Sequence, residues 1–166
     1  MRGARVEDGG SVGGMNADAC TPPPWVVHCD GSAVPNPGRM GIGAVLMAPD
    51  GTRHAISRTS GARGCNNEAE LMALTAALCE LQRQGARTAT LYCDNSVIVE
   101  QLAGSPVRPL ARLASQFDAA RRLMAGFEVV QLRWIPRHRN GDADALARGA
   151  LGLAIKPAGP SVRRRR

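Results

Sequence analysis

The residue pattern predicts an α/β protein: a mixed sheet flanked by helices. Two observations predict it. Three strand-like runs joined by turn signals come first, as in an antiparallel meander, and helical and strand-like segments alternate after them. The longest helical segment carries Leu71, Leu74, Leu78 and Leu81 at spacings of 3, 4 and 3, a single apolar stripe.

The elements follow in order. Residues 25–30, Trp-Val-Val-His-Cys-Asp, read as a strand, and residues 31–41 as a turn-rich loop holding Pro35, Asn36, Pro37 and Gly38. A second strand spans 42–48. Asp50-Gly51 is a hairpin signal, and 53–59 is the returning strand. After a loop at 60–67, the striped helix runs to Gly85, a natural C-terminal stop. Residues 88–93 are rich in strand formers, and 96–102 form a short helix broken by Gly104, Pro106 and Pro109. Leu110, Leu113, Phe117, Ala120 and Met124 mark a further helix ending at Gly126. A fifth strand at 127–135 and a last helix at 142–151 complete the pattern, with no internal repeat.

The 166 residues suit one domain, with 44% apolar and 21% charged residues. Residues 1–24 read as a flexible Gly/Pro-rich leader in which Met15 is a second candidate start, 25–155 as the domain, and 156–166 as a flexible basic tail. No apolar run approaches the ~20 residues of a membrane helix. The first 20 residues lack the apolar core of an export signal. The five cysteines form no CxxC pair. Together these predict a cytoplasmic, reducing setting and no zinc site, with Cys29, Cys79 and Cys93 as buried small side chains. The net charge is +7, Lys156 is the one lysine, and Arg163 to Arg166 carry four of the positive charges. That balance points to a polyanionic partner, with the tail adding phosphate contacts.

Four acids occupy informative places. Asp30 and Asp94 end strands, and Glu70 and Asp144 fall in the first turns of helices. Each alone fits a turn or a helix start. If the first and fourth strands are parallel neighbours, however, the acids converge where a site forms in an open sheet. Converging carboxylates repel unless a hard divalent cation compensates them, and oxygen ligands suit magnesium or manganese. Two such ions about 4 Å apart clamp the attacking and leaving oxygens of phosphoryl transfer.

Four blocks carry a family resemblance: His-Cys-Asp-Gly-Ser-Ala-Val-Pro-Asn-Pro-Gly at 28–38, Asn-Asn-Glu-Ala-Glu-Leu-Met-Ala at 66–73, Tyr-Cys-Asp-Asn at 92–95 and Pro-Arg-His-Arg-Asn-Gly-Asp-Ala-Asp-Ala-Leu-Ala at 136–147. In order and spacing they resemble type 1 ribonuclease H over residues 25 to about 151. The resemblance implies a ribonuclease H-like five-stranded mixed sheet flanked by helices. It also implies an enzyme that cuts the RNA strand of RNA–DNA hybrids with two Mg2+ (or Mn2+), leaving 5′-phosphate and 3′-hydroxyl ends with little sequence preference. Carried over by position, Asp30, Glu70, Asp94 and Asp144 hold the metals, Asp30 bridging both and Glu70 sensing the ribose 2′-hydroxyl. Asn36, Asn66 and Asn67 reach the hybrid's minor groove, and backbone amides at Gly31 and Ser32 hold the RNA strand. Glu68 and Asp142, two residues from Glu70 and Asp144, fall outside the set.

The chain departs from the family in three places. The connection 103–110 is too short for the basic arm some members carry, leaving Arg108, Arg112, Arg121 and Arg122 as partial substitutes. His138, only six positions before Asp144, is the candidate for proton traffic. Ser96 is short where many relatives have a longer polar side chain. The expected partner is the hybrid, with no membrane, and the expected state is a monomer. A non-catalytic nucleic-acid binding module and a DNA-directed nuclease of the same fold remain the alternatives.

Overall fold

The computed structural model describes residues 22–104 and 108–154. Most of the leader and all of the tail lie outside those residues. Five strands, β1 (Trp25–Val34), β2 (Gly38–Met47), β3 (Arg53–Gly64), β4 (Thr88–Cys93) and β5 (Val129–Trp134), form one mixed sheet in the order β3-β2-β1-β4-β5. β1–β2 and β2–β3 are antiparallel, while β1–β4 and β4–β5 are parallel. The helices are α1 (Asn66–Arg83), α2 (Ser96–Leu102), α3 (Ala114–Ala125) and α4 (Gly141–Ala150). This is the architecture the residue pattern predicts.

The first three strands are longer than the pattern predicts. The expected loop at 31–41 is mostly strand, and β3 runs on to Gly64. Gly31 and Gly41, at the two ends of the expected loop, serve a packing purpose instead, as does Gly43 within the second strand. A Cβ on Gly31 would overlap the Ala69–Glu70 backbone of α1, and Cβ atoms on Gly41 and Gly43 would overlap the α4 backbone at Ala147 and Ala143. A glycine inside a strand marks such a close approach of another backbone.

α1 also begins earlier than expected, at Asn66, because its first turn is polar and carries no apolar period. Its stripe of Leu71, Leu74, Leu78 and Leu81 is fully or almost fully buried against Val27, Ile42, Leu46 and Leu91, with Phe117 of α3 closing the layer. Gly85, at φ +73°, ends the helix in the left-handed region. Cys29 and Cys93 are buried as expected, but Cys79 is exposed. It follows Leu78 by one position, about 100° around the helix and off the stripe. On the opposite face α4 buries Ala143 and Ala147 against the glycines of β2.

Gln101 holds the short connection after α2. Its Nε2 donates to the Arg108 carbonyl (2.7 Å) and its Oε1 accepts from the Leu110 N–H (3.3 Å). Among the described residues no helix is long and apolar enough to cross a membrane.

Candidate active site

β1 is the sheet's switch strand, antiparallel to β2 on one side and parallel to β4 on the other. Its pairing with β4 ends at Cys29↔Cys93, so Asp30 and Asp94 are the next residues on neighbouring strands. Asp94 follows the end of β4 as expected. Asp30, expected at a strand end, lies inside β1 and pairs with Gly43 of β2. Gly31 admits α1 on one side of it and Gly43 admits α4 on the other. α1 therefore delivers Glu70, the helix's fifth residue and so one turn deeper than the sequence predicts. α4 delivers Asp144 from its first turn.

Ligand oxygens of Asp30, Glu70 and Asp94 lie within 4.8 Å of one another. Asp144 stands across from them, and Arg137 lies between. Its Nε is 3.7 Å from Asp94 Oδ2 and its Nη2 is 4.0 Å from Asp144 Oδ1. Asp30 is fully buried, and neither of its carboxylate oxygens has a hydrogen bond of normal geometry. Burial pushes the Asp30 carboxyl up to about 7, the Asp94 charge adds to the rise, and contact with Glu70 partly offsets it. Glu70 is pushed up further, to about 12, by burial and then by the Asp30 charge. Burial also raises Asp94, against the opposing pull of Arg137. The protein thus gathers four carboxyls that Arg137 alone compensates only in part, and a buried Asp with unpartnered oxygens at its centre fits hard divalent cations.

A pH dependence of stability follows. The folded Asp30 and Glu70 carboxyls hold protons that the unfolded chain releases near pH 4. Their contribution to stability is complete below that pH and declines as pH rises, the Asp30 share being lost through about 7, where it ionises in the folded state, while the Glu70 share goes on declining above that. In EDTA the thermal midpoint should therefore fall between pH 5 and pH 8, and Mg2+ should restore it at pH 8. A midpoint that climbs over that range in EDTA would contradict this charge distribution.

Glu70, Asp94 and Asp144 line a cleft of about 520 Å³, with Asp30 buried behind them and Gly31, Ser32, Asn66 and Asn67 on one side. The asparagines form a bonded ridge. Asn66 Oδ1 accepts from the Ala33 N–H (2.8 Å), Asn36 Oδ1 accepts from the Asn66 N–H (3.1 Å), and Asn67 Oδ1 accepts from Asn95 Nδ2 (2.9 Å). Asn36 is exposed at the far end of this ridge and does not line the cleft itself. Asn95, which the sequence reading passed over, also caps α2 by accepting from the Val97 and Ile98 N–H groups. Glu68 faces away and accepts from Gln116.

His138 is exposed and lines a neighbouring cleft with His28, Val45 and the start of α4. The 3-10 turn Arg137–Arg139 projects successive side chains about 120° apart, so Arg137 enters the acidic cleft while His138 leaves it. Arg137 escaped the sequence reading because its position between Pro136 and His138 carries no periodic signal. Asn140 escaped it too. It is 1% exposed, and its Nδ2 donates to the Cys29 carbonyl (2.9 Å), tying the start of α4 to β1. Of the arginines offered as substitutes for an arm, Arg112 reaches Cys65 Sγ at the start of α1 (2.8 Å). Arg121 is engaged by Asp118 and the Gln101 carbonyl.

A family model described as reverse transcriptase-like matches residues 28–150. A bifunctional protein of Mycobacterium tuberculosis is 34% identical over 134 residues, covering 80% of this chain and 37% of that protein. The chain therefore spans little more than a third of that relative's length. A ribonuclease H of Rhodopseudomonas palustris is 30% identical over 154 residues, covering 84% of this chain and 92% of that protein. Among solved structures, the N-terminal RNase H domain of the mycobacterial protein superposes with a TM-score of 0.71 at 33% identity, over 77% of this chain and 98% of that one. An RNase H1 called LC11, in complex with an RNA/DNA hybrid, superposes with a TM-score of 0.70 at 29% identity, over 77% and 96%.

Proposed function

The chain belongs to the type 1 ribonuclease H family, and from that premise we propose that it hydrolyses the RNA strand of RNA–DNA hybrids with two divalent cations, leaving 5′-phosphate and 3′-hydroxyl ends. The observation that carries the reading is the convergence of Asp30, Glu70 and Asp94, with Asp144 across Arg137, at the floor of the asparagine-lined cleft. Asp30, central and unpartnered, would be shared by both cations. Glu70 and Asp94 would complete one set of ligands and Asp144 would join the other. When bound, the cations supply charge stabilisation at the attacking and leaving oxygens of the phosphodiester.

The chain's own residues do the rest. Glu70 faces the cleft from α1 beside Asn66 and Asn67, where a ribose 2′-hydroxyl would distinguish RNA from DNA. The asparagine ridge and the backbone at Gly31 and Ser32 would orient the two strands through contacts that carry no base identity, so cleavage would be largely independent of sequence. Arg137 holds Asp94 and Asp144 in place and would accompany the scissile phosphate as a cation. The proposed setting is cytoplasmic, with the protein as a monomer.

The test is cleavage of end-labelled hybrid, duplex RNA and duplex DNA of one sequence, with Mg2+, Mn2+ or EDTA. The expected result is cation-dependent cutting of the hybrid's RNA strand alone. Binding without cutting under every cation would leave a non-catalytic module, and cutting of duplex DNA would make the chain a DNA-directed nuclease of the same fold.

A further inference from the structure

α4 covers only part of its side of the sheet. It packs on β1, β2 and β3, and among the described residues the β4–β5 side of that face lacks a covering helix. The register sets His28, Tyr92 and Arg133 in one row across β1, β4 and β5, with Val26, Thr90 and Gln131 on the same face two residues back. Gln131 and Arg133 are exposed, while His28, Thr90 and Tyr92 are half-buried. Val26 and the exposed Val129 lie toward the other end of this face, but the His28–Tyr92–Arg133 row is polar and aromatic rather than the continuous apolar surface a covering helix needs. The His28 and Tyr92 rings stack with centroids 5.0 Å apart and planes 24° apart.

The cations at this face are not neutralised. Among the described residues neither Arg133 nor Arg139 makes an ion pair, and Arg133 donates to Gln131 Oε1 (2.7 Å). At the edge of the row a cleft of about 400 Å³ opens beside His28, lined by His138, Arg139 and Asn140, with Asp142 as its one acid. Arg137, on the acidic cleft, and His138 and Arg139, on this one, are consecutive residues of one turn, so the two clefts share a wall.

We propose that this open face, centred on the His28–Tyr92 ring pair and bounded by Arg133 and Arg139, binds single-stranded nucleic acid. Aromatic side chains interleaved with arginines take unstacked bases by stacking and phosphates by charge, without base preference. A duplex cannot present its base faces to such a surface, whereas a single-stranded flank passing the shared wall can. The surface operates without the carboxylates or their cations, so it can be tested apart from hybrid cleavage.

The experiment measures fluorescence polarisation of short labelled single-stranded DNA and RNA in EDTA. Tyr92→Ala should weaken binding about five-fold or more, as loss of one stacked base predicts, while Tyr92→Phe retains it. Arg133→Gln and Arg139→Gln, both at exposed positions, should each weaken binding while leaving the thermal midpoint and blunt-hybrid cleavage unchanged. Tyr92 is the chain's one tyrosine, so fluorotyrosine labelling gives a single fluorine resonance, which should shift when the oligonucleotide is added. Unchanged affinity in both arginine variants together with an unmoved resonance would overturn the proposal. So would a dimer at assay concentrations that Arg133→Gln dissolves, since a second copy would then be the occupant.

Discussion

Asp30→Asn should reduce hybrid cleavage by about 10³-fold or more in Mg2+, because charge stabilisation by bound cations is worth several kcal/mol and each 1.4 kcal/mol is tenfold in rate. The substitution removes one negative charge and almost no volume from a fully buried position that faces Glu70 and Asp94. Its effect on the resting protein should have the opposite sign. The Asp30 carboxyl is raised to about 7 by burial and by the Asp94 charge, so removing it relieves repulsion wherever Asp30 is ionised. In EDTA at pH 8 the variant should melt above the parent, and the decline in midpoint between pH 5 and pH 8 should flatten. Hybrid binding in EDTA should persist, since the asparagine ridge is untouched. Turnover near the parent's in Mg2+ would remove Asp30 from the centre of the site, whatever the melting curves show.

Gly31→Ala should be nearly as damaging to cleavage through an entirely different cause. Its new Cβ would overlap the backbone of Ala69 and Glu70, and a backbone cannot rotate aside as a flexible side chain can. α1 would have to move off the sheet, taking Glu70 with it. Overpacking of this kind costs about 1–3 kcal/mol, roughly 2–12 °C in midpoint at this chain length. Gly51→Ala provides the contrast. Gly51 has φ +87° and nothing within 4 Å of its added Cβ, so the substitution carries backbone strain but no collision and lies in the β2–β3 hairpin away from the cleft. It should lower the midpoint modestly and leave turnover alone. If Gly31→Ala matched the parent in both midpoint and turnover, the close approach of α1 would not be what places Glu70.

Much of the site was legible because its chemistry sits in compact blocks. Asp30 beside Gly31, Asp94 after a strand, and the Asn66-Asn67-Glu-Ala-Glu70 run each keep their acid at a recognisable place, and parallel neighbours β1 and β4 bring two of them together. His138 and Arg137 show the limit. They are adjacent in sequence and belong to different clefts, because rotation along a 3-10 turn, rather than residue type, decides which side chain faces the acids.

By itself the sequence determined the order of elements, the stripe that buries α1 and the acids carried by each segment, since periodicity and turn chemistry are local properties of the chain. It did not determine where β1 ends and β2 begins, because Gly31 and Gly41 look like turn residues until the helices that press on them are in place. Nor did it determine that Asn140 pins α4 to the Cys29 carbonyl, 111 positions earlier, or that Arg137 lies between Asp94 and Asp144. The Asn140–Cys29 and Arg137–Asp94 contacts join segments far apart in the chain, and their geometry is set by how closely two helices can approach one sheet, a property of the packed protein that no local pattern encodes.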